Sequence, residues 1–151
     1  MDKNYIHPFL ESASNVLEQV VRVRPTSGEL EIKDIQYLDH HIWILIGMSG
    51  QMKGEILFGL PEQVALKIVS EMMGGFQVSE LDEMSQSAIS ELGNMISGNA
   101  STLLYDRGVT VDITPPQIIQ SIEHFDTQKA WTIPLNIREV GEFNIQVLTM
   151  D

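Results

Sequence analysis

The chain has 151 residues, 43% of them hydrophobic and 20% charged, the profile of one ordinary globular domain. The count of 21 Asp+Glu against 9 Lys+Arg gives a net charge of −12, which repels nucleic-acid backbones and anionic lipid alike. With no cysteine, disulfides, thiolate metal sites and a Cys nucleophile are excluded. The opening residues lack the basic-then-apolar order of a secretory signal, and the longest apolar run, Ile42 to Met48, is far too short to cross a bilayer. These features predict a single cytoplasmic domain over residues 1–151, with neither nucleic acid nor membrane as partner.

From Pro8 to Val21 the residues Phe9, Leu10, Ala13, Val16, Leu17, Val20 and Val21 recur at gaps of three and four. That spacing predicts a helix with one buried stripe and Pro8 in its first turn. Arg24-Pro25-Thr26-Ser27-Gly28 ends the pattern, and strands follow. Leu30, Ile32 and Ile35 mark a mixed segment, and Asp39-His40-His41 a turn. Ile42 to Ile46 is apolar on both faces, which predicts a central strand covered on both sides or nearly so. Ser49-Gly50 predicts a hairpin into a strand with Ile56, Phe58 and Leu60 on one face.

Pro61-Glu62 opens a second helix with Val64, Ala65, Ile68, Val69, Met72 and Met73 inward, stopped by Gly74-Gly75. Ser79, with Asp82 three residues on, predicts the start of a third and longer helix that reaches about Tyr105. Strands return from Val109 to Ile113, ahead of Thr114-Pro115-Pro116. Trp131, Ile133, Leu135 and Ile137 alternate on one strand, Gly141 turns the chain, and Phe143, Ile145 and Val147 alternate on the last. The fold class is therefore mixed α/β (α+β). A largely antiparallel sheet carries helices on it, in two similar halves of helix followed by strands.

The third helix has an unusual outer face. At about 100° per residue, Leu81, Met84, Ala88, Leu92, Met95, Ile96 and Leu103 share a side and are predicted to form its core stripe. Opposite them fall Ser87, Ser90, Glu91, Asn94, Ser97, Gly98 and Ser101. Solvated faces usually carry Lys, Arg, Glu and Gln, which favour helix, whereas Ser, Gly and Asn weaken it. No Lys or Arg occurs between Gln77 and Tyr105. A low, smooth face of this kind admits close approach by another molecule. Glu91 and Asn94, neighbours at i and i+3, are its chemically capable groups. A carboxylate can pair with a partner's cation, and a carboxamide that both donates and accepts can hold a water. Neither is a nucleophile, so the pair is half of a site and needs an electrophile from elsewhere. Spacing alone is equally met by a solvated face or by a surface that packs another subunit. Asn99 is predicted to be a buried structural amide, Met72, Met73, Met84 and Met95 core filling, and His40-His41 a turn feature without a metal.

The segment from Ser87 to Ala100, SAISELGNMISGNA, resembles the signature helix of the CheC/CheX/FliY family of chemotaxis phosphatases. That signature has Asp or Ser, Glu four residues on, Asn three after that, and a proline further along. Ser87, Glu91 and Asn94 match it, and either Pro115 or Pro116 stands near the proline. The stretches Gly54 to Ile68 and His7 to Ser12 also resemble the family, the latter its CheX branch. In the first helix Glu11 and Asn15 are spaced by four and lack the rest of the pattern, so one active helix is expected.

The resemblance implies a phosphatase that removes the aspartyl phosphate of a receiver-domain response regulator, typically phosphorylated CheY, and works as a homodimer. It implies that this chain binds no cofactor and that the partner brings the phosphoryl group, Mg²⁺ and a lysine. Asn94 would orient the attacking water and Glu91 would pair with that lysine. Ser87, Ser90, Ser97 and Gly98 would let the helix lie over the partner's phosphate pocket. The alternative is a non-catalytic module that binds a receiver or a flagellar-switch component through the same helix.

Overall fold

Three helices lie on one face of an antiparallel sheet in this computed structural model, which describes residues 3–35, 38, 40–119 and 128–150. Asp39 and His124 lie outside the described residues. The helices are α1 (Lys3–Val21), α2 (Glu62–Met72) and α3 (Glu83–Asp106). The strands are β1 (Thr26–Ser27), β2 (Glu31–Asp34), β3 (His41–Gly50), β4 (Lys53–Pro61), β5 (Val111–Ile113), β6 (Gln117–Ile119), β7 (Lys129–Ile137) and β8 (Gly141–Met150). Their order is β1-β7-β8-β4-β3-β5, with β2 also on β7 and β6 also on β3.

That order contains the two halves expected. Exchange β1/β2 with β5/β6, β3 with β7 and β4 with β8, and the strand order reads the same in reverse. Each half is a long helix, two short strands and a long hairpin, with α2 inserted between the halves. The short strands of each half pair with the hairpin of the other, so neither half completes its sheet alone.

Alternation puts one side of every long strand under the helices. Ile44, Ile46 and Met48 of β3, Ile56, Phe58 and Leu60 of β4, Ile133, Leu135 and Ile137 of β7 and Phe143, Ile145 and Val147 of β8 share the main core with helical residues such as Phe9, Leu17, Ile68 and Leu92. A second, smaller cluster of Ile35, Trp43, Leu57, Ala130 and Leu148 covers part of the other face. This explains the two-sided apolar run in β3. The strand is not central, since β8 and β4 hold the middle of the sheet, but Trp43 turns to the back and needs cover there. Gly59 makes that possible: a Cβ there would stand 2.2 Å from the Trp43 ring.

Two helix starts differ from the sequence expectation. α1 begins at Lys3, five residues before Pro8. Pro8 has no N–H for the carbonyl of Asn4 one turn back. Arg107, just past α3, donates from Nη1 to that carbonyl at 2.5 Å and so satisfies the group that proline leaves open. The cap of α3 is Asp82 and not Ser79: its Oδ1 accepts from the Ser85 backbone N–H at 2.9 Å. An Asp at this position satisfies an orphan donor directly and places its charge at the positive end of the helix.

Gly59→Ala is expected to destabilise the fold by about 1–3 kcal/mol, because Trp43 must leave its place. A denaturant midpoint shifted down with an unchanged slope checks this. The bonds from Ser85 hold the Asp82 carboxyl below the usual carboxylate range. Its contribution is present above that range and is lost as pH falls through the lowered value. Asp82→Asn keeps an acceptor without the titration, so the acid limb of its stability profile should be shallower than that of the wild type.

Candidate functional site

α3 buries Ser85, Ile89, Leu92, Gly93, Ile96, Ser97, Ala100 and Leu104 against α1, α2 and the sheet. At 100° per residue this stripe is rotated by roughly 70° from the one expected. Gly93 explains the rotation: a Cβ there would meet Ile44 Cγ2 at 3.0 Å, so the absence of a side chain lets the helix axis come close to β3 on that side. Met84, expected in the core, is 62% exposed, and Met95, Ala88 and Leu103 are only half-buried. Asn99 is exposed and is not the buried amide predicted.

The rotation leaves Glu91 and Asn94 exposed on the outer face. Ser87 is exposed beside them and Ser90 is half-buried. Among the described residues none of the four makes a hydrogen bond or ion pair, so their polar atoms face solvent unengaged. Gly98 is half-buried and a Cβ built on it would touch nothing within 4 Å, so no internal contact demands a glycine there. Ser97 is a correction. It was expected on the outer face but is 1% exposed, and its Oγ donates to the Gly93 carbonyl at 2.6 Å. Its hydroxyl is used up inside the helix and does not reach a partner.

The outer face forms one wall of an open cleft of about 460 Å³. Glu83, Gln86, Ser87, Ser90, Glu91 and Asn94 line it from α3, while Pro116 and Ile118 line it from the strand segment opposite. Pro116, rather than Pro115, is thus the proline at the cleft. Glu83, Gln86 and Ile118 were not singled out from sequence. Glu83 stands one turn before Ser87 and two before Glu91, so the i, i+4 row was the available signal. Among the described residues no cation lines the cleft, and two carboxylates do. It suits a partner that brings positive charge.

The remaining candidates serve the scaffold. Asn15 Oδ1 of α1 accepts from Arg24 Nη1 at 3.2 Å, so α1 does not repeat the arrangement of α3. His40 takes a left-handed turn (φ 59°), while His41 enters β3 and stacks on Trp43 at 5.9 Å. Among the described residues no group of three or more His, Asp or Glu is placed to hold a metal ion, and no helix is long and apolar enough to cross a membrane.

The sequence model of the family described as Chemotaxis phosphatase CheX matches residues 42–136, which include α3, Pro116 and both long strands of the first hairpin. The chain belongs to the chemotaxis phosphatase CheX family. Its enzymatic class is accordingly that of a phosphatase. A relative named CheY-P phosphatase CheX, from Thermotoga maritima, is 34% identical to this CheX-family chain over 119 residues, 79% of this chain and 77% of the relative. A CheC-like superfamily protein from Shewanella superposes with a TM-score of 0.83 at 26% identity, covering 100% of both chains. A CheX from Borrelia burgdorferi, solved as a CheX–CheY–BeF₃–Mg²⁺ complex, gives a TM-score of 0.81 at 24% identity over 97% of this chain and 98% of that one. That last likeness speaks for the fold.

Burial separates the serines of this CheX-family helix. Ser97→Ala should leave partner binding unchanged and stability within about 1 kcal/mol of wild type, since it removes only a back-bond within the helix. Thermal melts and a titration of the partner read both.

Proposed function

We propose that this protein hydrolyses the aspartyl phosphate of a CheY-like response regulator, with α3 laid over the regulator's phosphate pocket. The observation that carries the reading is the pair Glu91 and Asn94, exposed, unengaged and set in a cleft that no cation lines among the described residues. The name of the Thermotoga relative supports the substrate class. Hydrolysis needs water in line with the phosphorus and charge neutralisation, with little covalent chemistry from the helper protein. The Asn94 carboxamide accepts from the water and aims its lone pair at the phosphorus. The P–O bond to the aspartyl oxygen breaks, the carboxylate leaves, and the water's proton stays with the phosphate product. Glu91 pairs with a lysine of the regulator and fixes the register of docking. The regulator supplies Mg²⁺; this chain contributes no cofactor. Ser87, Ser90 and Gly98 keep the helix surface low enough for contact. The reaction is cytoplasmic, and the protein works as a homodimer.

Positioning one water is worth on the order of 10²–10⁴ in rate. Asn94→Ala is therefore expected to lower the rate of phosphate loss by about that factor while the regulator still binds. Glu91→Ala is expected to weaken binding as well. Timed release of phosphate from a radiolabelled receiver, with catalytic amounts of protein, checks both. An Asn94→Ala variant at the wild-type rate contradicts the assignment. A stable stoichiometric complex with no phosphate loss favours the non-catalytic module. Sedimentation equilibrium should give twice the chain mass; a single chain mass at micromolar concentration rejects the dimer.

A further inference from the structure

The second wall of the cleft is held by an unusual joint. β5 pairs with β3 up to Met48↔Ile113, and β6 resumes at Leu45↔Gln117. Between them, Thr114, Pro115 and Pro116 stand opposite Gly47 and Ile46, three residues against two. An extra residue of this kind makes a bulge, which bends the strand and re-aims its side chains, often beside a functional site. Pro115 and Pro116 have no N–H to offer β3, and their rings restrict the backbone. The segment that carries Pro116 to the cleft is therefore stiff, but it has no ladder donors of its own.

Thr114 supplies the anchor. Its backbone N–H donates to the Gly47 carbonyl at 2.9 Å. Its Oγ1 accepts from the Gly47 N–H at 2.8 Å, taking the place of the carbonyl that a regular ladder would offer. Both polar groups of Gly47 are thus bound by one residue. The fit is close, because a Cβ on Gly47 would stand 3.1 Å from Thr114 Cγ2 and 3.3 Å from its Oγ1. Pro116, two residues on, faces Glu91 and Asn94 across the cleft.

We infer that Thr114 and Gly47 form a latch that sets the Pro116 wall of the cleft, making Thr114 a positioning residue for the hydrolysis. The inference rests on the function proposed above. The Pro116 wall meets the docked regulator on the side away from α3, so its position fixes the angle at which the phosphoryl group meets the water on Asn94. Loosening the latch leaves Glu91 and its docking contact in place and spoils the alignment. The effect falls on turnover of the bound complex, more than on its formation.

The test uses the full chain and a CheY-type receiver from the same cell, radiolabelled on its aspartate with acetyl phosphate. Thr114→Val keeps the shape and removes the hydroxyl, Thr114→Ser keeps the hydroxyl, and Gly47→Ala presses on the latch from the other side. Misalignment on this scale is expected to lower kcat about tenfold in Thr114→Val and in Gly47→Ala, with KM within about twofold of wild type and Thr114→Ser restored to nearly the wild-type rate. In an Asn94→Ala background, Thr114→Val should cause no further loss, as for two residues that act on one step. A Thr114→Val protein with the wild-type kcat overturns the latch. So does a Thr114→Ser protein as impaired as the Val variant, or a loss that simply multiplies with that of Asn94→Ala. Should Thr114→Val not fold, Gly47→Ala and Thr114→Ser decide by the same criteria. If the wild type itself does not hasten phosphate loss, the proposed function fails and the latch with it; an active wild type with an unaffected Val variant removes the latch alone.

Discussion

The close seat of α3 on β3 is the constraint from which the site follows. Gly93 has room for no Cβ without pressing Ile44, and Ile89, Leu92, Ile96 and Ala100 on the same side of the helix are fully buried. Packing at interior density fixes the rotation of a helix as well as its distance. Once Gly93 points at the sheet, the geometry of the helix sends Glu91 and Asn94 outward. These two side chains therefore need no hydrogen-bonded support of their own to face outward. Their direction is a consequence of a buried contact on the opposite side, and their polar atoms are left for another molecule.

The fold places this helix where a second wall can face it. Both α3 and the β5–β6 segment belong to the second half of the chain, but β5 and β6 pair with β3 of the first. The cleft thus lies where the two halves interlock. The first half holds the matching helix, α1, which is committed to other work. Pro8 and Ala13 are buried, Asn15 takes a hydrogen bond from Arg24, and Arg107 ties the Asn4 carbonyl to the far end of α3. Two glycines of α3 illustrate how differently small residues can be used. Gly93 is demanded by a neighbour, whereas Gly98 has open space around it. Only the second kind keeps a surface low for a visitor.

The parts of this arrangement legible in sequence were those with a simple period. The alternation of Trp131 to Ile137 and of Phe143 to Val147 marked two strands with one buried face, and the structure has both as β7 and β8. The outward direction of Glu91 and Asn94 was also readable, because a rotation of roughly 70° still leaves both on the exposed half of a helix. Asn99 is expected inside the core stripe and Ser97 on the outer face, and the rotation brings both to the boundary of the two faces, where Ser97 is buried and Asn99 exposed. Met84 and Met95 suggest a core stripe by their hydrophobicity, but the close approach to Ile44 needs a residue without a side chain, and Gly93 supplies it. Pro8 lies inside α1 for a different reason: the Asn4 carbonyl, which Pro8 has no N–H to serve, accepts from Arg107, 103 residues along the chain. The Thr114–Gly47 joint had no local signal, since each residue alone is ordinary and only the register of β5 and β6 brings them together.

The central claim is that the outer face of α3 enters the partner's phosphate pocket. A crystal structure of this chain bound to a CheY-like receiver carrying a beryllofluoride aspartyl-phosphate mimic and Mg²⁺ tests it most directly. The account predicts the Asn94 carboxamide within hydrogen-bonding reach of a water in line with the beryllium, and the Glu91 carboxylate on the receiver's lysine. A complex in which the receiver sits elsewhere, with both side chains still facing solvent, would contradict it.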